Sequence, residues 1–150
     1  MSQPQRFFED YTPGLVLEGG DYEMTEAEIL GFAQRYDPQP FHLDHAAARD
    51  SMFGELVASG WNTAAVAMRL MVEHFFGAGG SMGSPGIDEL RWPRPVRVGD
   101  RLRLRATVEQ ARLSKSKPDR GMVHFFTEVL NQDGEVVMTL RGMAFFRARG

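Results

Sequence analysis

The chain has 150 residues, a net charge of -3, 43% hydrophobic and 25% charged residues, and no cysteine. This length and balance fit a single globular domain over residues 1–150 with a hydrophobic core of its own. The missing cysteine excludes disulfides, thiolate metal sites and cysteine nucleophiles.

The opening MSQPQRFFEDY has no basic start followed by an apolar run. No later stretch reaches the ~18 uncharged apolar residues of a membrane span, so a soluble cytoplasmic protein with no membrane partner is expected. Charge is uneven: residues 1–75 hold four arginines against twelve acids, and residues 76–150 hold thirteen basic residues against eight acids. Such clustering suits either a phosphorylated ligand or the solvated face of strands. No basic helix or zinc spacing is present, so no nucleic-acid partner is expected.

Residues 15–24 alternate weakly and follow the turn signal Thr12-Pro13-Gly14, predicting a first strand. Thr25-Glu26-Ala27-Glu28 reads as a capping box. Ile29, Leu30, Phe32, Ala33 and Tyr36 then recur at helical spacing, predicting a helix from Glu26 into Tyr36. Asp44 is placed to cap a short alanine-rich turn over residues 45–51.

Residues 60–76 differ in character. Trp61, Ala65, Met68, Val72 and Phe75 make one apolar stripe, with Ala64, Ala67 and Met71 beside it. A helix apolar nearly all round is one surrounded by protein. At about 1.5 Å per residue it would span about 25 Å. The glycine-rich run 77–86 ends it and reads as a mobile loop.

Everything after Gly86 reads as strands. Leu102, Leu104 and Ala106 alternate with Arg101, Arg103 and Arg105, the period of a half-buried strand. Residues 122–130 form a second run, and Asn131-Gln132-Asp133-Gly134 carries a hairpin signal. Residues 135–147 make a third run, with Val137, Thr139, Met143 and Phe145 assigned to one face. Pro93 and Pro95 place residues 87–98 at a sheet edge or on a bulge. One buried helix and an antiparallel meander predict an α+β fold, a curved antiparallel sheet wrapped around one long central helix. The exposed sheet edges favour pairing with a second copy.

The chemistry-bearing segment is Tyr36-Asp37-Pro38-Gln39-Pro40-Phe41-His42-Leu43-Asp44. Each proline fixes its own φ and pushes the preceding residue toward extended geometry. A stiff turn carrying a carboxylate and an imidazole can hold two proton-transfer groups over one substrate atom. The plainer alternative is a helix-ending turn in which Asp37 caps locally and His42 packs. His42-Leu43-Asp44-His45 lacks a metal-motif spacing, so no metal is expected.

This segment, Phe8-Glu9-Asp10-Tyr11-Thr12-Pro13-Gly14, residues 25–33, Val57-Ala58-Ser59-Gly60-Trp61 and Pro95-Val96-Arg97-Val98-Gly99-Asp100 together resemble the MaoC-like acyl dehydratases, which include the (R)-specific enoyl-CoA hydratases. The resemblance implies a hot-dog fold and a homodimer, or dimer of dimers, whose strands join into one sheet. It implies a hydro-lyase of fatty acid metabolism, adding or removing water across the 2,3 double bond of an enoyl-CoA or 3-hydroxyacyl-CoA thioester. No cofactor and no metal is implied.

In that resemblance Asp37 and His42 hold the reacting water, and the Gly60 amide receives the thioester oxygen. A helix N-terminal amide suits charge developing there, and a residue without Cβ allows close approach. Gln39, Pro40, Phe41, Ser59, Trp61, Asn62 and Thr63 are the expected substrate-binding residues. Two departures stand out: Gln39 replaces the family's usual Asn, and Met68 stands where some hydratases have a serine. Arg94, Arg97, Arg101, Arg103 and Arg105 are either CoA-phosphate contacts or solvent-facing strand residues. Two other functions remain: a hot-dog acyl-CoA thioesterase, disfavoured because positions 60–72 hold no acid, and a non-catalytic acyl-thioester-binding protein.

Overall fold

The structure is a computed structural model that describes residues 4–150. In chain order it contains a 3-10 turn (Phe8–Asp10), β1 (Val16–Glu23), α1 (Glu26–Tyr36), α2 (Pro40–Leu43), α3 (His45–Arg49), α4 (Gly60–Met71) continuing as a π turn (Val72–Phe76), β2 (Ile87–Arg91), β3 (Arg101–Leu113), β4 (Arg120–Leu130) and β5 (Val136–Arg147). The strands form one five-stranded sheet in the order β1-β3-β4-β5-β2, with every pair antiparallel. The expected curved sheet around a central helix is present.

The core lies between α4 and the concave face of the sheet. Val66, Ala67, Leu70 and Met71 of α4 are buried, as are Leu102, Leu104, Ala106 and Val108 of β3. Val123, Phe125 and Val129 of β4 close the same layer. Each large side chain buried here contributes about 1.5–3 kcal/mol. Tyr11 fastens the far end of α4: its hydroxyl donates to Phe75 O at 2.6 Å and Phe76 O at 3.0 Å, supplying partners to carbonyls the helix end leaves free. Gly77, with φ 67, then turns the chain away.

Four features depart from the sequence expectations. Only half of the capping box forms. Thr25 Oγ accepts from Glu28 N at 3.2 Å, but the Glu28 carboxylate turns away to accept from Tyr22 Oη and from Asn62 Nδ2. Second, α4 is not enclosed on all sides. Trp61, Met68 and Val72 are 59%, 48% and 42% exposed, because the five strands of one chain cover only one flank of the helix.

Third, residues 80–83 are tied to the sheet rather than left as a free loop. Arg147 N donates to Gly80 O, Met82 N to Phe145 O, and Phe145 N to Gly83 O. Fourth, the core face of β5 is Met138, Leu140, Gly142, Ala144 and Phe146, not the odd-numbered set. A register shift opposite Val129 and Leu130 lets Val137 and Met138 both be buried and resets the alternation. Arg141 accordingly lies on the convex face, over the Phe126 ring and paired with Glu109. β2 ends at Arg91, before Pro93 and Pro95, and lies at the sheet edge as those prolines suggested; it also carries a register shift between Ile87 and Glu89.

Candidate active site

α1 stops where the sequence requires it to. Asp37 N still donates to Ala33 O at 2.9 Å, but Asp37 takes φ -150 ahead of Pro38 and leaves the helix. Gln39 N donates to Asp37 O at 2.8 Å, Pro40 occupies the first position of α2, and His42 N donates to Gln39 O at 2.9 Å. This double turn brings the side chains of Asp37 and His42 onto one wall.

His42 is 5% exposed, and its Nδ1 lies 2.7 Å from Val57 O. Val57 pairs with Arg97, and Ala58 N donates to Val96 O at 2.8 Å, so that carbonyl is rigidly held. A carbonyl can only accept, so His42 Nδ1 carries hydrogen and donates to it. In neutral His42 this leaves Nε2 with a lone pair, facing Asp37 Oδ2 at 3.4 Å. That separation exceeds the roughly 2.7–2.9 Å of a charge-assisted hydrogen bond. Two acceptors that cannot bond to each other are suited to share one donor between them.

Asp37 is partly buried, its side chain 16% exposed. Burial pushes its pKa upward, but hydrogen bonds from Gln39 and Ser59 outweigh it and hold the carboxyl below its usual range. Gln39 Nε2 is 2.6 Å from Asp37 Oδ1. Asp37 is therefore an ionised acceptor at neutral pH.

The dyad opens onto a cavity of about 580 Å³, within the ~300–1,000 Å³ range of small-molecule sites. Gly60 and Thr63 of α4 line it beside Asp37 and His42, and Phe41, Phe53, Val57 and Val96 supply apolar surface. Trp61, Trp92 and Arg94 also line it, the two indoles meeting edge to face at 5.2 Å. Ser59 caps α4 by accepting from Trp61 N, and its carbonyl accepts from Asn62 N and Thr63 N. The Gly60 amide has no protein partner among the described residues, which leaves it available at the positive end of the helix. A Cβ on Gly60 would come within 2.5–2.9 Å of the Trp92 ring, so glycine is needed here for indole packing.

Of the expected site residues, Asp37, Phe41, His42, Gly60, Trp61 and Thr63 line this cavity. Four do not. Gln39 is exposed behind Asp37, Pro40 is exposed at the start of α2, and Ser59 is buried in its cap. Asn62 turns to the other flank of α4, where Nδ2 donates to Glu28 Oε2 at 3.0 Å. Met52, Phe53, Val57, Trp92 and Val96 were missed, while Arg94, considered as a CoA-phosphate contact, does line it. The Val57 carbonyl has no side-chain signature, whereas Trp92 beside two prolines was a legible hint of a fixed aromatic. Asp44 caps α3 through Ala47 N, and His45 pairs with Glu26. Met68 lines a second, apolar hollow of about 270 Å³ with Met71, Phe76, Ile87 and Phe125.

The profile of the MaoC like domain matches residues 12–124. The structure of a MaoC-like dehydratase from Rhodospirillum rubrum is 44% identical, covers 97% of this chain and 99% of its own, and superposes with a TM-score of 0.91. The R-hydratase PhaJ1 from Pseudomonas aeruginosa is 29% identical over 98% of this chain and 87% of its own, with a TM-score of 0.75. Protein MaoC from Klebsiella aerogenes is 32% identical over 71% of this chain, and the match spans only 31% of that longer protein. A Mycobacterium tuberculosis protein described as a double hot-dog fold matches at 18% identity and a TM-score of 0.81, a likeness of fold alone. The sheet wrapped around α4 is a hot-dog fold.

Proposed function

Because the chain belongs to the MaoC-like domain family, whose solved members include a dehydratase and an R-hydratase, we propose that it is a hydro-lyase that adds or removes water across the 2,3 double bond of an enoyl-CoA, the carbons next to the thioester carbonyl. The observation that carries this reading is the pair of facing acceptors, Asp37 Oδ2 and His42 Nε2, at 3.4 Å.

A water between them donates one hydrogen to each. One of the pair takes a proton as the oxygen adds to the β-carbon of the enoyl group. The electron pair of the double bond moves to the thioester oxygen, where the Gly60 N–H receives the negative charge. The protonated member of the dyad then returns the proton to the α-carbon. Water is consumed and both its hydrogens end in the product, so no redox partner or metal is required. General acid–base help of this kind contributes about 10²–10⁴-fold, and one amide donor about 2.7–4 kcal/mol.

Supporting residues follow from position. Phe41, Trp61 and Thr63 contact the thioester side of the substrate, while the hollow around Met68 and Met71 suits an apolar acyl chain. Substrates of this class place the reaction in fatty acid metabolism. The working unit is a homodimer. Trp61, Met68 and Val72 form an exposed apolar stripe beside Ile87, 55% exposed, on the edge strand β2, and a second copy would cover both. Among the described residues no helix is long and apolar enough to cross a membrane.

The test is to incubate enoyl-CoAs of increasing chain length with the protein, following loss of the conjugated thioester absorbance. Formation of 3-hydroxyacyl-CoA without free thiol is expected. Free thiol would instead mark a thioesterase, and bound but unchanged enoyl-CoA at every length would mark a thioester-binding protein.

A further inference from the structure

Gln39 touches both members of the dyad. Its side-chain Nε2 donates to Asp37 Oδ1 at 2.6 Å, and its backbone N–H donates to Asp37 O at 2.8 Å. Its carbonyl accepts from His42 N at 2.9 Å. The residue sits at the N-cap of α2 with an extended backbone, φ -90 and ψ 145, and its own side chain does not line the cavity. A carboxylate only accepts, so the Gln39 amide must present nitrogen to it.

On the hydratase reading above, we propose that Gln39 is a positioning residue: it anchors Oδ1 of Asp37 and leaves Oδ2 for the reacting water opposite His42 Nε2. The reasoning is geometric. A carboxylate free to rotate about its last bond presents either oxygen, or neither, to the water. One short bond to Oδ1 fixes that rotation, because the planar group then carries Oδ2 to a set place. The same bond stabilises the charged form over the neutral one. It works beside the Ser59 hydroxyl, which favours the charged form too. The other titratable group facing Asp37 is His42 from α2; Arg94, which lines the same cavity, is paired with Glu135. The extra methylene relative to asparagine gives the side chain the reach to sit behind the acid.

The experiment compares wild type with Gln39→Met, which keeps the size and removes the donor, and Gln39→Glu, which puts a like charge beside Asp37. Both preserve the backbone bonds to Asp37 and His42, so a purely structural role of residue 39 leaves Asp37 unchanged. The first readout is the Asp37 side-chain carbon resonance titrated by NMR in the folded protein. The second is kcat and KM for the best enoyl-CoA. Asp37 is expected to titrate at the lowest pH in wild type, higher in Gln39→Met and highest in Gln39→Glu. The variants should show severalfold lower kcat with KM little changed.

An Asp37 titration identical in wild type and Gln39→Met overturns the proposal. A shifted titration in a wild-type protein that hydrates no enoyl-CoA keeps the anchoring of Asp37 and defeats the hydratase reading instead. Turnover by wild type with an unmoved titration does the reverse.

Discussion

Replacing Asp37 with asparagine tests the dyad most directly. Oδ1 of the new amide can still accept from Gln39 Nε2, which holds Asp37 at 2.6 Å in the wild type. Its NH₂ then falls where Oδ2 was, facing His42 Nε2 across 3.4 Å. A donor now meets the His42 lone pair, and the two acceptors that would share a water are gone. The loss is that of one general acid–base group, about 10²–10⁴-fold in kcat, or about 2.7–5.4 kcal/mol of barrier. The fold is expected to survive, with a cost of about 1 kcal/mol for the weakened hydrogen bond.

The pH dependence has a definite sign. The folded-state pKa of Asp37 is depressed, so its contribution to stability is fully present above the unfolded value and fades as pH falls through the folded one. Asp37→Asn should therefore be less stable than wild type at neutral pH, and the difference should shrink under acid. Decay of enoyl thioester absorbance gives the rate, and thermal unfolding at several pH values gives the stability. A variant that hydrates enoyl-CoA at close to the wild-type rate refutes the dyad, whatever its stability.

His42→Ala should lose activity to a similar degree and, unlike an exposed-loop substitution, also lose about 1–3 kcal/mol of stability, because the buried Val57 carbonyl is left without its donor; chemical denaturation measures this, and an unchanged midpoint counts against the packing described. Gly60→Ala should lower turnover by pushing a methyl into the Trp92 ring. Adding Trp92→Ala restores activity if glycine serves indole packing, whereas continued loss in the double variant means the methyl itself blocks the thioester oxygen. Light scattering should return about twice 16.9 kDa for wild type, and Met68→Glu, which buries a charge in the apolar stripe, should shift it toward monomer; a wild-type mass of 16.9 kDa at micromolar concentration removes the homodimer.

The sequence by itself determined the elements whose signals are local. Thr25 and Asp44 cap α1 and α3, Pro38 and Pro40 break the chain between α1 and α2, and Asn131 to Gly134 turn β4 into β5. Each rests on interactions within a few residues, so residue type and spacing sufficed. The order of motifs likewise pointed to the fold and to Asp37 with His42. What the sequence left open depended on partners far along the chain. Glu28 abandoned its capping box because Tyr22 and Asn62 meet it from other elements, and Asn62 was thereby turned from the expected site to the opposite flank of α4. The odd-even face of β5 was decided by a register shift against β4, which reverses every side chain beyond it. The hydrogen on His42 Nδ1 was decided by a backbone carbonyl at Val57, an atom every residue carries and no residue type announces. Trp92 settled against Gly60 only because β2 and the turn after it lie beside the start of α4. The chemistry of Asp37 and His42 was legible, but whether they face one another as two acceptors or pair as donor and acceptor is a matter of tertiary contact, because the tautomer is set by what the other nitrogen touches.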